Sequence, residues 1–367
     1  MMNMNDIVIW IIVCFFCLGA LDKLIGNRMG LGERFTEGFK AMGSLALVMI
    51  GIVSLAPVIA QLLIPVVSPV YGWVGADPAT FANTLLAADM GGYALAGQMA
   101  ADPEAALFAW VLLGTMMGST IVFTIPVALG IIAQEDRPYL AKGILVGIAT
   151  IPIGCFVGGL IAHMDAVMML VNLVPSLVFS IIIGLGLWRY PGPVIQGFFA
   201  FGKLIEIVAI IGLVAIAVET LTGVVLIPNL APISEGVLTV GKIAIILAGA
   251  FPMITFLTAF FHKHLEKLGR LLGIDQKATA GLIASLAHNI PMFAMLKEMQ
   301  PRGKVVNVAF AVSGAFVFGG HLAFVAGVDK SMVLAMMAGK LTGGVTAVLL
   351  ALLVTRSKKV GERPQDS

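Results

Sequence analysis

Apolar runs of roughly 20 residues, long enough for a helix to cross a bilayer, recur along the whole chain. They fall at about 7–24, 41–63, 80–98, 106–132, 140–162, 167–188, 200–221, 238–261, 278–297, 304–327 and 331–354. The Pro- and Gly-rich stretch 61–79 is expected to add a short helix. No polar stretch is long enough for a soluble domain. The pattern predicts an all-α polytopic membrane protein, with residues 1–367 forming a single transmembrane domain. Asp6 precedes the first run where a signal peptide would carry positive charge, so residues 7–24 are read as a retained helix.

Two of the segments are short and interrupted. The stretch 80–98 contains Asp89 and Gly91-Gly92; 278–297 contains His288, Asn289 and Pro291. Such segments fit broken or re-entrant helices, whose irregular backbone must line protein or a water-filled cavity. They also resemble each other. With Asp89 set against Asn289, Leu86 meets Leu286, Ala87 meets Ala287 and Tyr93 meets Phe293. Flanking matches follow in the same order: Pro57 with Pro252, Val122-Phe123 with Val317-Phe318, and Gly147 with Gly339.

Charge tests the topology independently. If both interrupted segments enter and leave on one side, six basic regions share one face. These are Lys23–Lys40, Arg137–Lys142, Arg189–Lys203, Lys263–Lys277, Lys297–Lys304 and the tail Arg356–Arg363. The connections with Asp77, Asp102, Glu104, Asp165, Glu219 and Glu235 fall on the other. That is the positive-inside pattern. It predicts about nine full crossings plus two re-entrant segments, up to eleven helices. The N-terminus is expected outside and the C-terminus in the cytoplasm. The two halves, 7–162 and 200–354 with a linking helix at 167–188, are then expected to be inverted repeats, a transporter architecture.

Composition agrees. Hydrophobic residues make up 59% of the chain and charged residues 11%, about half the charged share of a soluble domain. The net charge of +2 gives no reason to expect a nucleic-acid partner. Cys14 and Cys17 form a C-x-x-C inside an apolar run and are read as small core residues. Gly197 to Lys203 and Gly236 to Lys242 match G-x-x-x-x-G-K, but Leu204 and Ile243 stand where a phosphate loop needs Ser or Thr. No metal, cofactor or enzymatic activity is expected.

Ionisable residues at membrane depth are costly and therefore informative. Asp89 is the leading candidate to hold a cation. Lys340, deep in the last segment, is its expected partner, either as a structural pair or as a counter-ion displaced by a cationic solute. Asn289 offers a neutral donor and acceptor for a hydroxyl. His321 is read as a solute ligand, a proton relay or a satisfied core histidine. Tyr93, Phe123, Phe293, Phe316 and Phe318 flank these positions, and ring faces attract ammonium groups. His163, His262, His264 and His288 lie nearer loops and are read as solvated or structural. Glycines spaced by four, at 114/118, 143/147, 154/158 and 339/343, are read as helix-packing seams.

Several stretches together resemble the bacterial ethanolamine utilisation permease family, EutH. They are Glu37-Gly38-Phe39, Asp89-Met90-Gly91-Gly92, Ile125-Pro126-Val127-Ala128-Leu129-Gly130, Ile151-Pro152-Ile153-Gly154-Cys155, Asn289-Ile290-Pro291-Met292-Phe293 and Gly339-Lys340-Leu341. The resemblance covers essentially the whole chain. This sequence departs from it at Ser119, where the family tends to carry Pro, and at Gly320, where it tends to carry an acid. The resemblance implies movement of ethanolamine across the bacterial cytoplasmic membrane. The alternatives are a transporter of another small amine or organic cation, an intramembrane enzyme, and a membrane anchor for an enzyme assembly.

Overall fold

A computed structural model describes residues 3–355. The basic tail Arg356–Arg363, the cytoplasmic C-terminus expected from it, and the side chain of His262 lie outside what is described. Fifteen α-helical pieces follow in order: α1 Met4–Leu24, α2 Leu31–Gly72, α3 Ala79–Leu85, α4 Gly92–Met99, α5 Pro103–Leu107, α6 Ile125–Ile131, α7 Arg137–Ile161, α8 Ala166–Arg189, α9 Pro191–Thr222, α10 Ile233–Leu272, α11 Gln276–Ala287, α12 Asn289–Met295, α13 Pro301–Ser313, α14 Gly320–Val328 and α15 Val333–Val354. α5 and α6 are the ends of one continuous rod, Pro103–Ile131. Among the described residues, eight helices are long and apolar enough to cross a membrane. α13 and α14 follow each other across a break at 314–319.

α3–α4 and α11–α12 are hairpins that leave by the end they enter. The reason is a carboxylate at the base of each. Asp77 Oδ1 accepts the Ala79 N–H at 2.8 Å, and its Oδ2 accepts those of Ala101 and Asp102 at 2.9 Å. Residues 77 and 101 are thereby held together. Asp275 does the same for the second hairpin: Oδ1 takes the Ala278 N–H and Oδ2 the Gln300 N–H, both at 2.9 Å. The two bases lie at opposite ends of the bundle. The first sits at the acidic end, where the Asp165 N–H reaches Glu104. The second sits at the basic end, where Lys304 pairs with buried Asp136.

Two helix groups emerge from the packing. α1, α2, α9 and α10 pack on one another. The hairpins, the rod, α7, α13 and α15 form the other group, and α8 rests on α7, α3 and α9. The rod is the most enclosed span: 83% of its most apolar window is buried, against 17% for α1. Gly154 and Gly158 meet the backbone of Ala335 and Gly339 with no room for a Cβ, so α7 and α15 touch along the small-residue seam expected for helices in lipid.

Four expectations need correction. Residues 61–72 add no separate helix; they extend α2, with Pro57, Pro65 and Pro69 inside it. A membrane helix tolerates proline where neighbours re-satisfy the freed carbonyls. At 42 and 40 residues, α2 and α10 would be about 60 Å long, roughly twice the hydrocarbon thickness, so Lys263 lies within α10 and not in a connection. The segment 304–327 is broken in two. Cys14 and Cys17 are exposed on α1 and are not core residues; Cys155 is buried. Among the described residues, no His/Cys/Asp/Glu group suits a metal ion.

The base of the first hairpin sets a stability test. Asp77→Ala leaves three backbone N–H groups without their acceptor, each costing about 1–3 kcal/mol where it stays buried. The detergent-solubilised variant should melt several degrees lower in a fluorescence-detected unfolding scan. An unchanged melting curve would show that the hairpin base does not need this carboxylate.

Candidate functional site

The two hairpin tips approach the same place inside the bundle. In the first, a short turn at 88–90 carries Asp89, and Gly91 follows with φ +90°. Only glycine adopts that conformation at no cost. A Cβ there would also lie 2.0 Å from Ile52 Cγ2, so the absence of a side chain lets the tip sit against α2. In the second hairpin the break is one extended residue, His288, whose Nδ1 accepts the Ile290 N–H at 3.2 Å. A neutral ring with Nδ1 accepting carries its proton on Nε2.

The third contribution is the break between α13 and α14. Phe316 sits there with φ +62°, a conformation costly for a bulky residue. Two hydrogen bonds hold it. The Phe316 N–H donates to Ser285 O at 2.9 Å, and the Phe318 N–H to Leu286 O at 3.0 Å. The broken strand of one element thus satisfies the last carbonyls of α11.

These elements enclose a cavity of about 190 Å³. The hairpin-bearing group contributes Asp89, Ser119, Phe123, His288, Phe316 and His321. α2 and α10 contribute an apolar wall of Ala41, Leu45, Ile243, Leu247 and Phe251, with Ser44 its one polar member. Phe123, Phe316 and His288 meet edge to face at 5.0–5.8 Å, and Phe316 lies 5.0 Å from His321. Among the described residues, no cation lies within ion-pair distance of Asp89. His321 is 2% exposed and its Nδ1 is buried without a hydrogen-bond partner. A carboxylate, ring faces and an unpaired imidazole nitrogen in one small space can hold a compact cation bearing a hydroxyl.

Of the residues singled out from the sequence, Asp89, Phe123 and His321 line this cavity, as do Phe316 and Gly320. Tyr93 does not; its ring packs on Trp110 and Phe324 at 5.2 and 6.0 Å. Asn289 is fully buried beside the cavity, with Nδ2 donating to Thr124 Oγ1 at 3.3 Å and Oδ1 unpaired. Phe318 contributes its backbone N–H and not its ring to the site. Lys340 is 1% exposed and is not ion-paired with Asp89: its Nζ donates to Thr115 O at 2.6 Å. That carbonyl lies in a wide π-helical stretch of the rod, Phe108–Gly118, and also accepts from Ser119 Oγ at 2.9 Å.

His288 and Ser119 were not foreseen as lining residues. The repeat alignment pointed one residue past His288, because the first tip uses a three-residue turn and the second a single extended residue. Ser119 and Gly320, the two positions expected to depart from the resemblance, are both on the cavity wall.

The family model described as "Ethanolamine utilisation protein, EutH" matches residues 4–354. The chain belongs to the EutH family. It is 60% identical over 366 residues to a Bacillus subtilis protein named "Uncharacterized protein YxeR", covering 100% of this chain and 99% of that one. Two further EutH relatives are each named "Probable ethanolamine permease EutH". The one from Listeria monocytogenes is 57% identical over 351 residues, 96% of this chain and 94% of its own. The one from Salmonella typhimurium is 44% identical over 391 aligned positions, 96% of each chain. No solved structure matches.

Neighbouring glycines separate cavity from scaffold. A Cβ on Gly320 meets nothing within 4 Å, whereas one on Gly319 would lie 2.1 Å from Ala287 O. Gly320→Leu should leave the amount of folded protein in the membrane unchanged and block uptake by filling the cavity. Gly319→Ala should reduce the folded yield. Full uptake by Gly320→Leu would show that this space is not on the solute's route.

Proposed function

We propose that the chain is a transporter that moves protonated ethanolamine into the cell across the bacterial cytoplasmic membrane. One observation carries the reading: the Asp89 carboxylate lines a cavity walled by aromatic rings and has no ion-pair partner among the described residues. The names of the relatives supply the substrate. The ammonium group would sit on Asp89 against the faces of Phe123 and Phe316. The hydroxyl would meet His288 Nε2 and His321 Nδ1. At roughly 30 Å³ per water, the cavity has room for such a solute and a few waters.

The physics of the substrate explains the need for a protein. A simple amine resembles lysine and is mostly protonated at neutral pH. The neutral minority crosses lipid unaided; the ammonium form does not. The halves 7–162 and 200–354, joined by 167–188, would act as inverted repeats, with the N-terminus outside and the C-terminus in the cytoplasm. Transport would be facilitated diffusion or ion-coupled alternating access.

Two measurements test this. Asp89→Asn, reconstituted in proteoliposomes, should lose uptake of labelled ethanolamine by on the order of a hundredfold or more, the effect of removing a buried charge partner. Wild-type uptake by that variant would remove Asp89 from the site. The neutral amine fraction falls about tenfold per pH unit. The share of uptake that depends on the protein should therefore rise as external pH drops. Equal uptake with and without the protein at acidic pH and limiting substrate would defeat the reading.

A further inference from the structure

The groove between the hairpin-bearing group and the α2–α10 wall holds a second cavity, of about 420 Å³, toward the acidic end. Its lining includes Tyr93 and Gln98 from α4, Val53 and Ala56 from α2, and Glu235 and Thr239 from α10. The Asp89 cavity uses residues 41–45 of α2 and 243–251 of α10. The two spaces are therefore stacked along the same pair of helices, about 6–12 Å apart by helical rise. An aromatic partition stands between them. Tyr93 lines the second cavity and Phe324 the first. Their rings are 6.0 Å apart, and Trp110 packs on both, at 5.2 and 5.9 Å.

Among the described residues, Glu235 is the one carboxylate at this end that lines the cavity. Glu219, on α9, also has an unpaired carboxylate oxygen, but that oxygen is buried and the residue does not line this space. The other neighbours have structural partners. Asp77 holds the first hairpin, Asp102, Asp165 and Asp329 cap helices, and Asp6 meets Lys330. The Glu235 carboxylate has no hydrogen bond or ion pair among the described residues, and it faces the second cavity beside a phenol and an amide. Its place in the first turn of α10 stabilises that helix, but a helix terminus alone would not need Tyr93 and Gln98 arranged around it.

We propose that this second cavity is a staging site for small primary ammonium ions, which Glu235 concentrates before they pass the Tyr93–Trp110–Phe324 partition to Asp89. Its ligand class rests on the proposed transport function; the partition and the carboxylate do not. An exposed carboxylate in a cleft raises the local concentration of cations and the rate at which they enter. It does not alter the step at Asp89. The signature is thus a change in KM and not in maximal rate, weakened by salt that screens an exposed charge.

The test uses the full chain in proteoliposomes with Cys14 and Cys17 changed to Ser. Glu235→Gln should raise the KM for ethanolamine about threefold to tenfold with maximal rate unchanged, and the difference should shrink at high ionic strength. In parallel, Gly97→Cys places a thiol in open space on the second cavity's wall. A membrane-impermeant cationic thiol reagent should label it faster than an anionic one of similar size, and Glu235→Gln should remove that preference. An unchanged KM, or a charge preference that survives Glu235→Gln, overturns the staging site. Lost preference in a chain that carries no ethanolamine would support the cation site and sink the substrate instead.

Discussion

Backbone that leaves a helix inside a membrane must find its hydrogen bonds within the protein, because hydrocarbon offers none. The chain breaks helix at three places near one another: 86–91, 288 and 314–319. Each break is closed by its surroundings. Ala87 O accepts from Met90 and Gly92, and Ser285 O and Leu286 O accept from the α13–α14 break. The ends of the hairpins are gathered by Asp77 and Asp275. The Asp89 cavity is the space these closures leave, and its polar groups are those they do not consume.

The two helix groups divide the work of that space. Nearly every hydrogen-bonding side chain on the cavity wall belongs to the hairpin-bearing group, while α2 and α10 present alkyl and aromatic surface. The hydrogen-bonding groups of the cavity are therefore concentrated on one helix group. The apolar partner surface offers few polar atoms to compete for them, and its low polarity strengthens the field of a carboxylate facing it. Lys340, whose Nζ donates to a rod carbonyl inside the same unit, has its hydrogen bond without Asp89.

Much of this was readable along the chain. The all-helical, multi-span character and the two hairpin segments followed from segment length and interruption. Asp89 and His321, which line the cavity, stood out as polar residues beside paired glycines in apolar runs, and Phe123 as an aromatic residue flanking them. What was hidden depends on geometry that hydropathy does not encode. The π-helical turns of 108–124 look like any apolar helix, yet they free the carbonyl that takes Lys340. The break at 314–319 carries no proline and only small and apolar residues, so its signal is weak. His288 was read as a solvated or structural residue near a loop, whereas it is the extended residue at the second tip and lines the cavity. Asn83 sits against Gly92 and Gly114 in the first half, and Asn307 against Gly281 in the second; the pairing recurs with the amide moved to the other partner, which a residue-by-residue alignment does not register.

The shortness of the hairpin helices bears on how such a molecule comes to exist. α3, α4 and α12 have 7, 8 and 7 residues, far below the length that a bilayer retains by itself. These pieces have no stable place in lipid until the long helices around them have assembled. The hairpin tips that line the Asp89 cavity therefore join the structure late in its biogenesis, and a half-built chain offers ions no partly formed passage at that spot.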